Sequence, residues 1–171
     1  VAQFAAEKAI DLGARVIKIE AKGGENLRRR SVVGGAALPF AMLNSNKTFA
    51  TLNLKTERGR ELLRAMVKKG DVLVENFRPG TLEGWGMSPQ ELHQLNPGLV
   101  MLRISGYGQT GPYRDLPGFG AIGEAMGGLR HLTGEPGRVP VRVGMSIGDT
   151  LAALHGTIGV LTALYHRKVN G

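Results

Sequence analysis

The chain has 171 residues, 42% of them hydrophobic, which allows one substantial core and a single domain over 1–171. It has no cysteine, which excludes disulfides, thiolate metal sites and a cysteine nucleophile and suits a reducing, cytoplasmic setting. The net charge of +8 draws anions, but aromatics are only 5% and no nucleic-acid motif is present, so a small polyphosphate ligand is expected rather than nucleic acid.

The first predicted element is a helix over Phe4 to Leu12, closed by Gly13. A strand over Arg15 to Glu20 follows at once, so the sequence starts inside a βαβ unit whose first strand is missing, as expected of a fragment of a longer protein. Residues 21–46 read as a long connection rich in Gly, Arg and Asn, functional or partly mobile. Within it Arg28-Arg29-Arg30 is the one dense basic cluster, readable as a solvated loop or as a phosphate clamp.

A strand over Phe49 to Leu54 leads to Thr56, which can cap a helix carrying Leu62, Leu63, Met66 and Val67 on one face and ending at Gly70. The next strand, Asp71 to Glu75, breaks into Asn76-Phe77-Arg78-Pro79-Gly80, setting an amide, an aromatic ring and a guanidinium at its carboxyl end. Ser88, Pro89 and Glu91 spell a capping box for a further helix. A strand over Leu99 to Ser105 then runs into Gly106-Tyr107-Gly108-Gln109-Thr110-Gly111-Pro112. Residues 106–148 are rich in Gly and Pro, with a short helix over Ala121 to Met126 and a strand over Val139 to Val143. A long amphipathic helix from Thr150 to Lys168 closes the chain. No apolar run is read as long enough to span a bilayer, and no membrane partner is expected.

This order argues for an α/β fold, a mainly parallel sheet with helices on its faces. Ligands of such sheets bind outside the carboxyl ends of the strands. The loops at 21–24, 76–80 and 106–112 are therefore expected to share one rim.

The stretches Gly13 to Glu20, Asn44 to Lys47, Val74 to Gly80 and Ser105 to Pro112, in their order and spacing, resemble the class III CoA-transferases, the family of formyl-CoA transferase and carnitine CoA-transferase. The resemblance covers nearly all of the chain and corresponds to the family's N-terminal part. It implies the Rossmann-like large domain of that family and an acyl-CoA:carboxylate CoA-transferase working through an aspartyl anhydride. Asp149, in Ser146-Ile147-Gly148-Asp149-Thr150, matches the nucleophile. Leu52, Asn53, Leu54 and Lys55, then Asn76, Phe77 and Arg78, then Pro117, Gly118, Phe119 and Gly120 match three CoA-contacting stretches. The substrates implied are coenzyme A or acyl-CoA and a small carboxylic acid, with no permanent cofactor and no metal, in an interlocked homodimer. A Gly-rich loop that helps to bind the oxyanion in this family lies beyond these residues.

There are departures. Ala21 and Gly84 stand where the family often has basic residues, and Val1-Ala2-Gln3 replaces an Ala-Gly-Pro. Bland readings stand beside the functional ones: Asp149 as an ordinary helix N-cap, Lys55 as a solvated lysine, Phe77 as a core aromatic. His93, His131, His155 and His166 lack metal-ligand spacing and receive no role. Related acyl-CoA racemases carry a His-Asp proton-transfer pair where this chain has Phe119-Gly120, which ranks racemisation below CoA transfer. A non-catalytic module binding CoA or another anion is the remaining alternative. The 106–111 loop lacks the residues of a P-loop or a Rossmann fingerprint and reads as a flexible segment beside the site.

Overall fold

The computed structural model describes residues 2–171. Helix α1 (Ala2–Asp11) turns at Gly13 into strand β1 (Ile17–Glu20). A 3₁₀ turn at Asn26–Arg29 and a small antiparallel hairpin, β2 (Val32–Val33) and β3 (Ala36–Ala37), come next. The hairpin folds back through Gly34 and Gly35, both at positive φ, the conformation that tight two-residue turns require. Helix α2 (Leu38–Asn44) leads to β4 (Thr48–Thr51), which lies parallel to β1 with Ile17 opposite Thr48.

Helix α3 (Glu57–Val67) connects to β5 (Val72–Glu75); α4 (Thr81–Gly84) and α5 (Pro89–Leu95) follow, then β6 (Val100–Arg103), parallel to β5 with Val72 opposite Val100. Helices α6 (Gly120–Met126) and α7 (Ile147–Asn170) complete the chain. Parallel strands flanked by helices make this an α/β fold, as expected. The strands form two separate parallel pairs, β1 with β4 and β5 with β6, where one sheet was anticipated.

Local signals account for the clearest boundaries. The Thr56 hydroxyl accepts the Gly59 N–H at 3.3 Å, and Ser88 and Glu91 exchange both bonds of a capping box, at 3.2 and 2.7 Å. The main core gathers Leu63, Val67, Leu82, Met87, Leu92 and Leu99 around the β5/β6 pair. Full burial of one such side chain stabilises by about 1.5–3 kcal/mol.

Several elements differ from the sequence expectation. The 21–46 connection is structured, because Arg28 lies 4.0 Å from the centre of the Phe40 ring and Lys18 donates to Asn44 at 2.9 Å. Those contacts join residues far apart in sequence. The strand expected at Val139 to Val143 does not form: Pro140 lacks an N–H, no strand among the described residues pairs with it, and Val139 is exposed. Helix α4 was not anticipated.

Helix α7 begins at Ile147, three residues before the expected start at Thr150. Its 24 residues and mean hydropathy of 1.3 over 18 of them make it long and apolar enough to cross a membrane by length and composition, which corrects the expectation that no run was. In this fold α7 packs along α1, α6 and β6, and Arg167 fastens its end to Asp71 at 2.7 Å.

Candidate functional site

Three loops matched by sequence are held by different devices. At 52–55, the Asn53 side chain accepts the Lys55 N–H at 3.1 Å and the Asn53 carbonyl accepts the Thr56 hydroxyl at 2.8 Å. A side chain on Gly59 would strike that carbonyl, so the first turn of α3 can sit beneath the loop only with glycine there. Leu52 and Leu54 pack on the core, while Asn53 and Lys55 are exposed. Arg60 braces the loop from below through the Lys55 carbonyl at 3.1 Å.

At 76–78, the loop is fixed by the residue before it. Glu75 is 5% exposed; one of its carboxylate oxygens accepts the Phe77 N–H at 2.6 Å and the other accepts Arg103 Nε at 2.7 Å. Arg103 also makes a forked pair with Glu83 at 2.7 and 3.2 Å, which holds the Glu83 carboxyl below the usual range. The Phe77 ring meets Trp85 edge-on at 5.4 Å, and Trp85 packs on the same core cluster as Leu52 and Leu54. Phe77 is half-exposed rather than a core aromatic. Asn76 and Arg78 are exposed, and Arg78 has no ion pair among the described residues. Glu75, Arg103 and Glu83 went unnoticed in sequence; the available signal was an acidic residue ending an apolar strand.

At 117–120, backbone approaches backbone. A Cβ on Gly106 would come within 2.5 Å of Gly118 Cα, so the loop after β6 crosses the 117–120 loop at a glycine pair. A Cβ on Gly120 would lie 2.5 Å from Asp149 Oδ1. Gly120 therefore leaves the space that the Asp149 carboxylate occupies. Pro117 is exposed and the Phe119 ring is 82% exposed.

Asp149 is the third residue of α7, inside its first turn. The position before the helix belongs to Ser146, so Asp149 is not the N-cap that the bland reading made it. Its carboxylate, half-buried, makes no hydrogen bond or ion pair among the described residues, and it stands at the positive end of a 24-residue helix dipole. The structure thus brings Gly120 up to Asp149, while Gly118 meets Gly106 and Tyr107. No hydrogen bond or ion pair among the described residues links Asp149 to the 52–55 or 76–78 loops.

The basic cluster divides. Arg28 donates to Glu20 at 2.9 Å and stacks on Phe40 and Phe49, Arg29 donates to the Gly23 carbonyl at 3.0 Å, and Arg30 is exposed. Ala21 and Gly84 leave their positions without charge. Val1 lies outside the described residues; Gln3 donates its side-chain amide to Glu25, and its carbonyl accepts Lys47 Nζ at 3.0 Å.

A family model described as CoA-transferase family III matches residues 1–171. The succinyl-CoA–D-citramalate CoA-transferase of Chloroflexus aurantiacus is 50% identical, over 98% of this chain and 42% of that protein. The formyl-CoA:oxalate CoA-transferase of Streptomyces avermitilis is 40% identical, over 94% of this chain and 39% of its own length. Among solved structures, a CaiB/BaiF family protein from Brucella suis superposes with a TM-score of 0.92 at 36% identity, covering 97% of this chain and 46% of that one. The chain spans about two fifths of the length of the curated relatives it matches.

Proposed function

This chain belongs to CoA-transferase family III, and from that premise we propose that the whole protein is an acyl-CoA:carboxylate CoA-transferase with Asp149 as its nucleophile. The observation that carries the reading is the Asp149 carboxylate itself, without a hydrogen bond or ion pair among the described residues, backed by Gly120 and set in the first turn of α7. A carboxylate that caps or pairs is occupied; this one is available to attack.

In the proposed sequence an Asp149 oxygen attacks the thioester carbonyl, the carbon–sulfur bond breaks, and CoA leaves as the thiolate, giving an acyl-aspartyl anhydride. The thiolate then attacks the aspartyl carbonyl, releasing the donor acid as its carboxylate and leaving an aspartyl-CoA thioester. The acceptor carboxylate attacks that thioester, expelling CoA thiolate and forming a second anhydride. Thiolate attack on the acceptor's carbonyl yields the new acyl-CoA and restores Asp149. Covalent catalysis divides one difficult exchange into four displacements.

CoA is proposed to lie along Leu52–Lys55, Asn76–Arg78 and Pro117–Gly120, with Lys55 and Arg78, which have no ion pair among the described residues, offering their charges to its phosphates. Short dicarboxylic acids are the first substrates to try, since relatives are named for succinyl-CoA with citramalate or malate. Relatives named as alpha and beta subunits support assembly from more than one chain, here taken as an interlocked homodimer. A cytoplasmic location accompanies the reading.

Incubating the full-length protein with succinyl-CoA and citramalate or malate should generate the new CoA thioester, and Asp149→Asn should lower that rate by about 1,000-fold or more. The variant should still gain thermal stability from CoA, as a native-state ligand requires. Wild-type protein that is stabilised by CoA yet transfers it to no carboxylate would favour the non-catalytic module.

A further inference from the structure

The stretch that leads the chain into α7 is anchored at one point. No backbone group of residues 139–144 takes part in a hydrogen bond among the described residues, and Val139 and Val141 are exposed. Ser146, at the entrance to the helix, makes no side-chain cap bond. The anchor is Arg142, whose Nε and Nη2 donate to the two carboxylate oxygens of Glu124 at 3.3 and 3.4 Å.

Glu124 is the one titratable group of α6, and its side chain is 1% exposed against 48% for Arg142. Residues four apart share one face of a helix. Glu124 therefore stands one turn along from Gly120, on the face that meets α7. That face also touches the nucleophile: a Cβ on Gly120 would lie 2.5 Å from Asp149 Oδ1, and one on Gly148 would lie 2.8 Å from the Gly120 carbonyl. A single face of α6 thus backs the first turn of α7 directly and holds the approach to it through an ion pair. A buried carboxylate is costly without a charged partner, which draws Arg142 down onto Glu124. The two-pronged contact fixes direction as well as distance.

We propose that Glu124 and Arg142 are a positioning pair for the reaction. They tether the 139–146 approach to α6 and so set where the first turn of α7 presents the Asp149 carboxylate to a thioester carbonyl. The inference rests on the nucleophilic role proposed for Asp149. Neither residue has to touch the substrate. A misplacement of about 1 Å can slow a reaction about 100-fold. The loops at 52–55 and 76–78 are fixed by other residues, Arg60 and Glu75. Loss of the tether should therefore slow attack and leave CoA binding as it is.

Hydroxylamine trapping on the full-length protein at saturating acyl-CoA separates this role from a purely stabilising one, because the rate of labelling at Asp149 and the fraction finally labelled are read independently. Arg142→Met should label about 10- to 100-fold more slowly than wild type, yet to the same final fraction of folded chains. Its rise in melting temperature with CoA should match that of wild type. Arg142→Lys keeps a charge beside Glu124 without the fork and decides the question where the methionine variant does not fold; it should label at least about 3-fold more slowly than wild type. Glu124→Gln combined with Arg142→Met should be no slower than Arg142→Met alone, as two parts of one device require. Wild-type labelling rates in the Arg142 variants, a lowered final fraction at an unchanged rate, or multiplied losses in the double variant would overturn the inference while leaving Asp149 as nucleophile. Wild-type protein that carries no label at Asp149 would overturn that role, and the inference with it.

Discussion

The two strand pairs are built on the same device and supported very differently. Each pair has a strand ending in a buried glutamate that accepts an arginine Nε: Glu20 from Arg28 at 2.9 Å, Glu75 from Arg103 at 2.7 Å. Around Glu75 every acceptor is used, the second oxygen fixes the Phe77 amide, and the main hydrophobic core lies alongside. Around Glu20 the second oxygen is buried without a hydrogen bond among the described residues, 3.7 Å from Lys18 Nζ. Polar and cation–aromatic contacts there do much of what apolar packing does in the other pair. A carboxylate closed on all sides makes its loop rigid, whereas one with a spare oxygen leaves its loop dependent on further contacts.

The contrast is broken most forcefully at Arg103. Arg103→Met strands the buried Glu75 and releases Glu83, and should cost about 3–5 kcal/mol in chemical denaturation. A smaller loss follows from Arg28→Met, since Arg28 is partly exposed, Glu20 keeps Lys18 nearby, and methionine retains contact with Phe40 and Phe49. That variant should lose about 1–2 kcal/mol by the same measurement. Equal losses in the two variants would erase the distinction.

The smallest expected effect is a slope. Lys47 is buried beside α1, with its ammonium on the Gln3 and Leu43 carbonyls, and burial followed by the charge of Lys18 lowers its pKa to about 8. Below about pH 8 it is protonated in both folded and unfolded chains. From there to the ordinary value of 10.5 the unfolded chain holds a proton that the folded one lacks, so this group makes stability rise with pH. Lys47→Met should flatten that rise in melting curves taken across the window, whatever its effect on absolute stability.

What could be read in the sequence follows the range of the forces involved. The α/β class, the Thr56 cap and the Ser88–Glu91 box rest on contacts within a few residues, and they formed where expected. The elements between Asn26 and Asn44 rest on Lys18, Phe40 and Phe49 meeting across sequence gaps, which local patterns do not register. The strand expected at 139–143 failed for the converse reason, since Val139, Val141 and Val143 supplied β propensity without a partner edge. At the site, Asp149 was legible as a residue near a helix start. Its place in the first turn, and the space left for it by Gly120, came only from the meeting of α6 and α7. The clamp of Glu75, Arg103 and Glu83 was invisible because Arg103 and Glu83 are 20 residues apart in sequence and Glu75 and Arg103 are 28 apart.

The central claim, that Asp149 carries the acyl group, is tested most directly by trapping. Full-length protein incubated with acyl-CoA and hydroxylamine, then digested and analysed by mass spectrometry, should carry a hydroxamate on Asp149 and on no other carboxylate. Asp149→Asn, which should change stability by less than about 1 kcal/mol, should carry none and should not transfer CoA. Near-normal CoA transfer by that variant, or a hydroxamate on a different residue, would contradict the account.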